Sequence, residues 1–263
     1  MLATILLTSV IRVVMGSSCV RCNPPYGYRA YEQGDSLRIS RLGYRWWVGG
    51  CLLLPLLAFV RAPAASAALP LGGGAGIIVN GTYCTLTTIG HDKAGDLVGF
   101  TAASCGGPDS PVVAEGSEDL GPVGTVVAAN GDLDYAVIKF DPATITPIAN
   151  FSGFVINGIG PDPEWKQPEC RLGAATGDFC SSNSSFPGPG SRMAMPRGAY
   201  QPGDNGGPVT SDGLLVGLIT SGSLVLPSGF GVPGFQVTHM TKFSAILDDV
   251  NSAGGPGAGF VPI

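Results

Sequence analysis

Charge is scarce in this chain: only 13% of its 263 residues are Asp, Glu, Lys or Arg, against roughly 25% in an average soluble domain. Histidine is scarcer, with two in the whole chain, and neither joins a His/Cys cluster with zinc spacing. A Gly-rich phosphate loop is missing as well, so no cofactor and no metal is expected. Long uninterrupted helical stretches are also lacking. With 41 Gly and 22 Pro, about a quarter of the residues disfavour helix interiors, which excludes large helical bundles and coiled coils. Hydrophobic residues still reach 44%, too many for a disordered polymer, and no strict Gly-X-Y period suggests collagen. What remains is a Gly-, Val-, Thr- and Ser-rich chain of short strands and many turns.

The net charge of −5 conceals an asymmetry. Residues 1–67 carry seven Arg against only Glu32 and Asp35, whereas residues 68–263 carry seven Lys/Arg against 17 Asp/Glu, a net of −10. A domain so acidic repels phosphate backbones, so nucleic acid is not expected as a partner.

The run Trp46–Val60 is strongly apolar but shorter than the ~20 residues that span a bilayer. Arg38, Arg41 and Arg45 precede it and Ala65-Ser66-Ala67 follows. Basic flank, apolar centre and Ala-x-Ala exit read as a secretory signal cut after Ala67, with an uncleaved anchor as the alternative. Membrane contact is expected only through that segment. Residues 1–36 lie upstream of a normal signal and read as a gene-start artefact or an extended leader; Cys19 and Cys22 within them lack a partner pair. The expected organisation is a leader at 1–67, an exported domain at 68–253 and a frayed Gly/Pro tail at 254–263.

In the exported part, strands are expected at Gly76–Leu86, Leu97–Ala102, Val123–Val127, Tyr135–Phe140, Leu214–Thr220 and Phe230–Val237, separated by Gly, Pro, Asp and Asn. One helix is expected near the end, where Phe243, Ile246, Leu247 and Val250 repeat at helical spacing. Thr238 or Thr241 would cap it. Four Cys remain there, Cys84, Cys105, Cys170 and Cys180. An even number in an exported domain suggests two disulfides, with three pairings open.

Three segments carry chemistry. Phe100–Gly106 reads FTAASCG, Asp134–Phe140 reads DYAVIKF, and Gly203–Val209 reads GDNGGPV, continuing through Thr220-Ser221-Gly222. In order and setting they resemble the three catalytic segments of the trypsin-like serine peptidases, TA(A/G)HC, D-x-A-hydrophobic and GDSGGP. Cys170–Cys180, CRLGAATGDFC, is similar to a hairpin of the bacterial branch that includes α-lytic protease and the streptogrisins. The resemblance spans about residues 76–250. It implies an all-β fold of two six-stranded antiparallel Greek-key barrels with a C-terminal helix. It further implies disulfides Cys84–Cys105 and Cys170–Cys180, and an ion pair between Arg171 and the buried Asp204.

The departures bear on function. Acyl transfer in this family requires a nucleophile, an adjacent base and a third group that orients the base. Here the base position holds Ser104 and the nucleophile position Asn205; only Asp134 matches. A hydroxyl does not accept a proton near neutrality, and an amide is not a nucleophile. His91, at a hairpin tip, is placed roughly 20 Å away by strand rise, and His239 is read as remote from the cleft. Lys139 lies on the strand face opposite Asp134. Backbone N–H groups of Gly203 and Asn205 are expected to keep an oxyanion hole. Thr220, Ser221 and Gly222 match a peptide-pairing edge, and Ala199 stands at the pocket-base position. With its imidazole partner absent, Asp134 is expected to be hydrogen-bonded by Ser104 or Asn205. The chain therefore reads as a secreted, catalytically inactive homologue that binds peptide or protein, with a hydrolase of non-standard arrangement as the alternative.

Overall fold

The computed structural model describes residues 68–164, 167–181, 186–187, 190–196, 199–225 and 235–263. The leader reading, and residues 230–234 of the last expected strand, lie outside them.

Two antiparallel sheets hold most of the strand residues described. The first contains eight strands in the order Val261–Pro262, Thr88–His91, Leu97–Thr101, Tyr135–Phe140, Gly124–Asn130, Pro111–Ala114, Gly76–Val79 and Thr82–Thr85. The second contains seven, in the order Gly177–Ser181, Glu169–Gly173, Pro208–Ser211, Leu214–Val225, Phe235–Lys242, Arg192–Pro196 and Phe186–Pro187. The mostly-β architecture with one C-terminal helix is present among the described residues. Two closed six-stranded barrels are not, because each ladder runs open from edge to edge.

Two local events explain the extra strands of the first sheet. Gly76–Leu86 does not form one strand. Asn80 and Gly81 both adopt positive φ, 47° and 85°, the conformation a two-residue hairpin turn needs, and Ile78 then pairs with Tyr83. The C-terminal tail is not frayed either. Ala258 and Phe260 are buried, and Val261 pairs with His91, so the chain end becomes an edge strand held by apolar burial.

Phe100 organises the larger core, meeting Phe243 and Phe260 edge-on at centroid separations of 5.3 and 5.0 Å. Such pairs contribute about 0.5–1.5 kcal/mol beyond the area they bury. Phe243 opens the helix Phe243–Ala253, which buries Ile246 and Val250 on the same stripe. The helix starts at Lys242 without a side-chain cap. Thr238 and Thr241 both lie in the preceding strand, where Thr238 accepts from Arg171 and Thr241 donates to the Leu133 carbonyl. Gly254, left-handed at φ 69°, closes the other end. A smaller core of Met193, Val209, Val216, Ile219 and Met240 belongs to the second sheet, with Tyr200 packed against it.

The two sheets meet along the turn after residue 202. Gly206, at φ 86°, sits where a Cβ would lie 2.2 Å from both Thr101 Oγ1 and Thr85 O. Only glycine permits that approach. Thr87 Oγ1 then donates to Gly206 O at 2.5 Å, and the Thr85 N–H to Asn205 O at 2.8 Å.

Candidate functional site

Three short pieces of backbone present the site. Ser104 lies on a single 3₁₀ turn, Ala103–Cys105, directly after the strand Leu97–Thr101, and the Cys84–Cys105 disulfide ties that turn to the neighbouring hairpin. Asp134 precedes the strand Tyr135–Phe140 at φ 53°. Asn205 follows the 3₁₀ turn Pro202–Asp204.

These side chains form one hydrogen-bonded series. The Ser104 N–H donates to Asp134 Oδ1 at 2.7 Å and its hydroxyl to Oδ2 at 3.3 Å. Asn205 Nδ2 donates to Ser104 Oγ at 3.4 Å, and the Tyr200 hydroxyl donates to Asn205 Oδ1 at 2.7 Å. Each member thus satisfies its neighbour, and both carboxylate oxygens of Asp134 are occupied. Burial pushes the Asp134 carboxyl above its usual range, opposed by the Ser104 hydrogen bonds and the Arg192 charge. Burial, followed by the Asp204 charge, raises the Tyr200 phenol.

The oxyanion expectation is corrected at one of its two donors. The Asn205 N–H is given to Pro202 O at 3.2 Å, closing the 3₁₀ turn Pro202–Asp204. A donor used inside its own turn does not point at a developing oxyanion. Proline at the first position of that turn favours the closed form, since its φ is already helical.

Asp204 is fully buried, as is Arg171, yet they do not form the direct ion pair expected of them. The Asp204 carboxylate accepts from the N–H groups of Ala175 (3.2 Å), Thr176 (2.9 Å) and Gln201 (2.9 Å), and from Thr176 Oγ1 (2.9 Å). Arg171 donates to Thr238 Oγ1 at 2.6 Å and to the Ala199 carbonyl, and lies over the Phe179 ring. The neutral donors of the 174–176 turn fill the carboxylate first, and the guanidinium attracts it only through space. Burial lowers the Arg171 pKa and the Asp204 charge opposes that. The hairpin carrying Arg171 is closed by the Cys170–Cys180 disulfide.

The expected peptide-binding edge is partly covered. Thr220 is buried and Ser221 exposed, but the Tyr200 ring lies on Gly222, where an added Cβ would sit 2.1 Å from Cδ1. The Gly222 backbone and the Asn205 side chain both hydrogen-bond the phenol. Tyr200 therefore occupies the space between the 199–205 turn and the 220–222 strand. Sequence reading passed over Tyr200 for Ala199, whose carbonyl serves Arg171; no one-dimensional signal tells which way a ring folds.

His239 is not remote from the cleft. It shares a cavity of about 280 Å³ with Asp134, Arg192, Thr220 and Ser221, because the strand Phe235–Lys242 sets it directly across from Ser221. A bulge between Ile219 and Ser221 produces that register. His91 is exposed on the strand Thr88–His91, and Lys139 is ion-paired with Asp96 at 2.6 Å.

Solved structures resemble this arrangement of strands. Thermobifida fusca protease A matches with a TM-score of 0.53 at 19% identity, over 69% of this chain and 96% of its own. Nocardiopsis protease matches with a TM-score of 0.53 at 20% identity, over 69% of this chain and 97% of its own. An α-lytic protease homologue matches with a TM-score of 0.50 at 19% identity, over 70% and 97%. The fold is that of the bacterial chymotrypsin-like serine proteases. No protein-family model matches the chain, and no curated protein matches it in sequence. Within that fold the site presents the Ser104 hydroxyl and the Asn205 amide beside the Asp134 carboxylate. The two disulfides and the protease fold fit an extracellular protein.

Proposed function

We propose that the protein is a secreted, catalytically inactive homologue of the serine endopeptidases that holds an extended peptide or protein ligand along its former cleft. Its signal is cut after Ala67. One observation carries the reading: Asn205, at the nucleophile position, has its side chain bound between Tyr200 and Ser104 and its N–H bound to Pro202 O. Neither an attacking atom nor an activated base stands there, and a residual oxyanion site does not replace a missing nucleophile. What supports binding is the exposed strand position Ser221, which lines one cavity, and a second cavity at Gln201 and Gly203.

The test is fluorophosphonate treatment of the full chain, beside Ser104→His/Asn205→Ser and the same pair with Tyr200→Gly. The expected result is no adduct on the native chain, slow labelling of the double variant, and at least tenfold faster labelling once Tyr200 is removed. An adduct on the native chain within the 104 or 205 turn ends the inactive reading.

A second reading has its own support in the cavity shared by Ser221, His239 and Asp134. In that reading Ser221 Oγ bonds an acyl carbon, its proton passes to His239, and the leaving group departs with that proton. An adduct mapped to Ser221 and abolished by Ser221→Ala would favour a hydrolase over a binding protein.

A further inference from the structure

With Tyr200 filling the space beside Gly222, a ligand lying in the cleft needs its anchor elsewhere. A second cavity, of about 230 Å³, opens at the Pro202–Asp204 turn, where Gln201 and Gly203 line it. It is smaller than the ~300–1,000 Å³ of pockets that take drug-sized molecules, a size suited to one side chain. Ala174, Ala175 and Gly203 line it with small groups, while Tyr83, Glu115 and Gln201 supply an aromatic face, a carboxylate and an amide.

Tyr83 is a large side chain left 58% exposed, although Cys84 and Thr85 beside it are buried. It stands on the terminal strand of its sheet, Thr82–Thr85, where an extended segment can lie alongside. Glu115 extends over Gly76, which has no Cβ to displace it. Among the described residues, no Lys or Arg lines the cavity. Residues 68–263 carry the acidic excess of ten noted above.

We infer that this cavity is a recognition site for a cationic side chain of the peptide ligand, arginine ahead of lysine. The inference rests on the peptide-binding reading of the cleft. A guanidinium stacks flat on the Tyr83 ring while its N–H groups reach the Glu115 carboxylate and the Gln201 carbonyl. An ammonium reaches the carboxylate but stacks less well. An acidic side chain meets Glu115 as a like charge and is rejected.

The experiment titrates the full chain by calorimetry with capped hexapeptides that are all alanine except for one central residue: arginine, lysine, norleucine, glutamate or alanine. Arginine is expected to bind at least fivefold tighter than norleucine, with lysine between them and glutamate weakest. The arginine–norleucine gap should shrink in 0.5 M salt. Glu115→Gln should remove most of the gap, and Tyr83→Ala should bring arginine down to lysine. Both residues are exposed, so neither variant threatens the fold. Equal affinity for arginine and norleucine, or a gap that survives Glu115→Gln, overturns the inference while leaving peptide binding in place. Failure of every peptide, all-alanine included, overturns the binding reading itself.

Discussion

Asp204 and Asn205 are adjacent in the chain and opposite in kind. Asp204 is fully buried and holds four hydrogen bonds from the Ala175–Thr176 turn and Gln201, with the buried Arg171 guanidinium attracting it through space. Asn205 is half-buried, reaching outward to Ser104 and Tyr200 across the cleft. The first serves the architecture of the turn; the second presents an amide to the cleft. The same turn therefore anchors itself with one side chain and offers the next to the cleft. A buried carboxylate is constrained by every donor around it, whereas a side chain facing a cleft is constrained only by what it must react with.

Three perturbations test that contrast. Asp204→Ala should cost the most, about 3–5 kcal/mol, because it strands the donors of the 174–176 turn and leaves the Arg171 charge buried without its counter-charge. Asn205→Ala should cost less than about 1 kcal/mol, since solvent can replace its bonds. Urea midpoints of the two variants give the comparison, and equal losses would erase the distinction. Next comes Gly222→Ala, which forces a methyl into the Tyr200 ring and should cost about 1–3 kcal/mol. Most of that should return in a Tyr200→Ala background. A double-mutant cycle with no coupling would mean that the ring does not lie on Gly222.

The smallest effect concerns Asp134. Its folded-state pKa is raised, chiefly by burial, so ionising it opposes folding. The penalty is absent below about pH 4, where the carboxyl is protonated folded or unfolded. It grows as pH rises through the raised value. Asp134→Asn should therefore gain stability relative to the native chain between pH 3 and 8, by less than about 1 kcal/mol, because the carboxyl is partly exposed and screened. A gain that grows toward acid pH would reverse the sign and contradict the burial argument.

Much of the scaffold was legible because it rests on local rules. The apolar run Tyr135–Phe140, set between turn signals, read as a strand with those bounds, and the apolar spacing of Phe243, Ile246 and Val250 as the helix. The Cys pairs could be read only through their resemblance to the bacterial proteases, since spacing alone left three pairings open. Two of the missed features depend on distant partners, and a third on a local turn. The tail looked frayed because Gly and Pro dominate it, yet Phe260 meets Phe100 some 160 residues earlier. His239 looked remote because it lies just before the C-terminal helix, while strand register places it on the same cavity wall as Asp134. The oxyanion expectation counted N–H groups without asking where the Pro202 carbonyl turns.

Which residue types stand at positions 104 and 205 is a property of the sequence alone: Ser104 brings a hydroxyl and Asn205 an amide however the chain folds. Where Tyr200 lies, which carbonyl takes the Asn205 N–H, and what faces Asp134 were decided only by the tertiary structure. The reason is physical. Chemical identity belongs to a side chain, but occupancy of a space is settled by competition among all groups that can reach it, and that competition exists only once the two sheets have met.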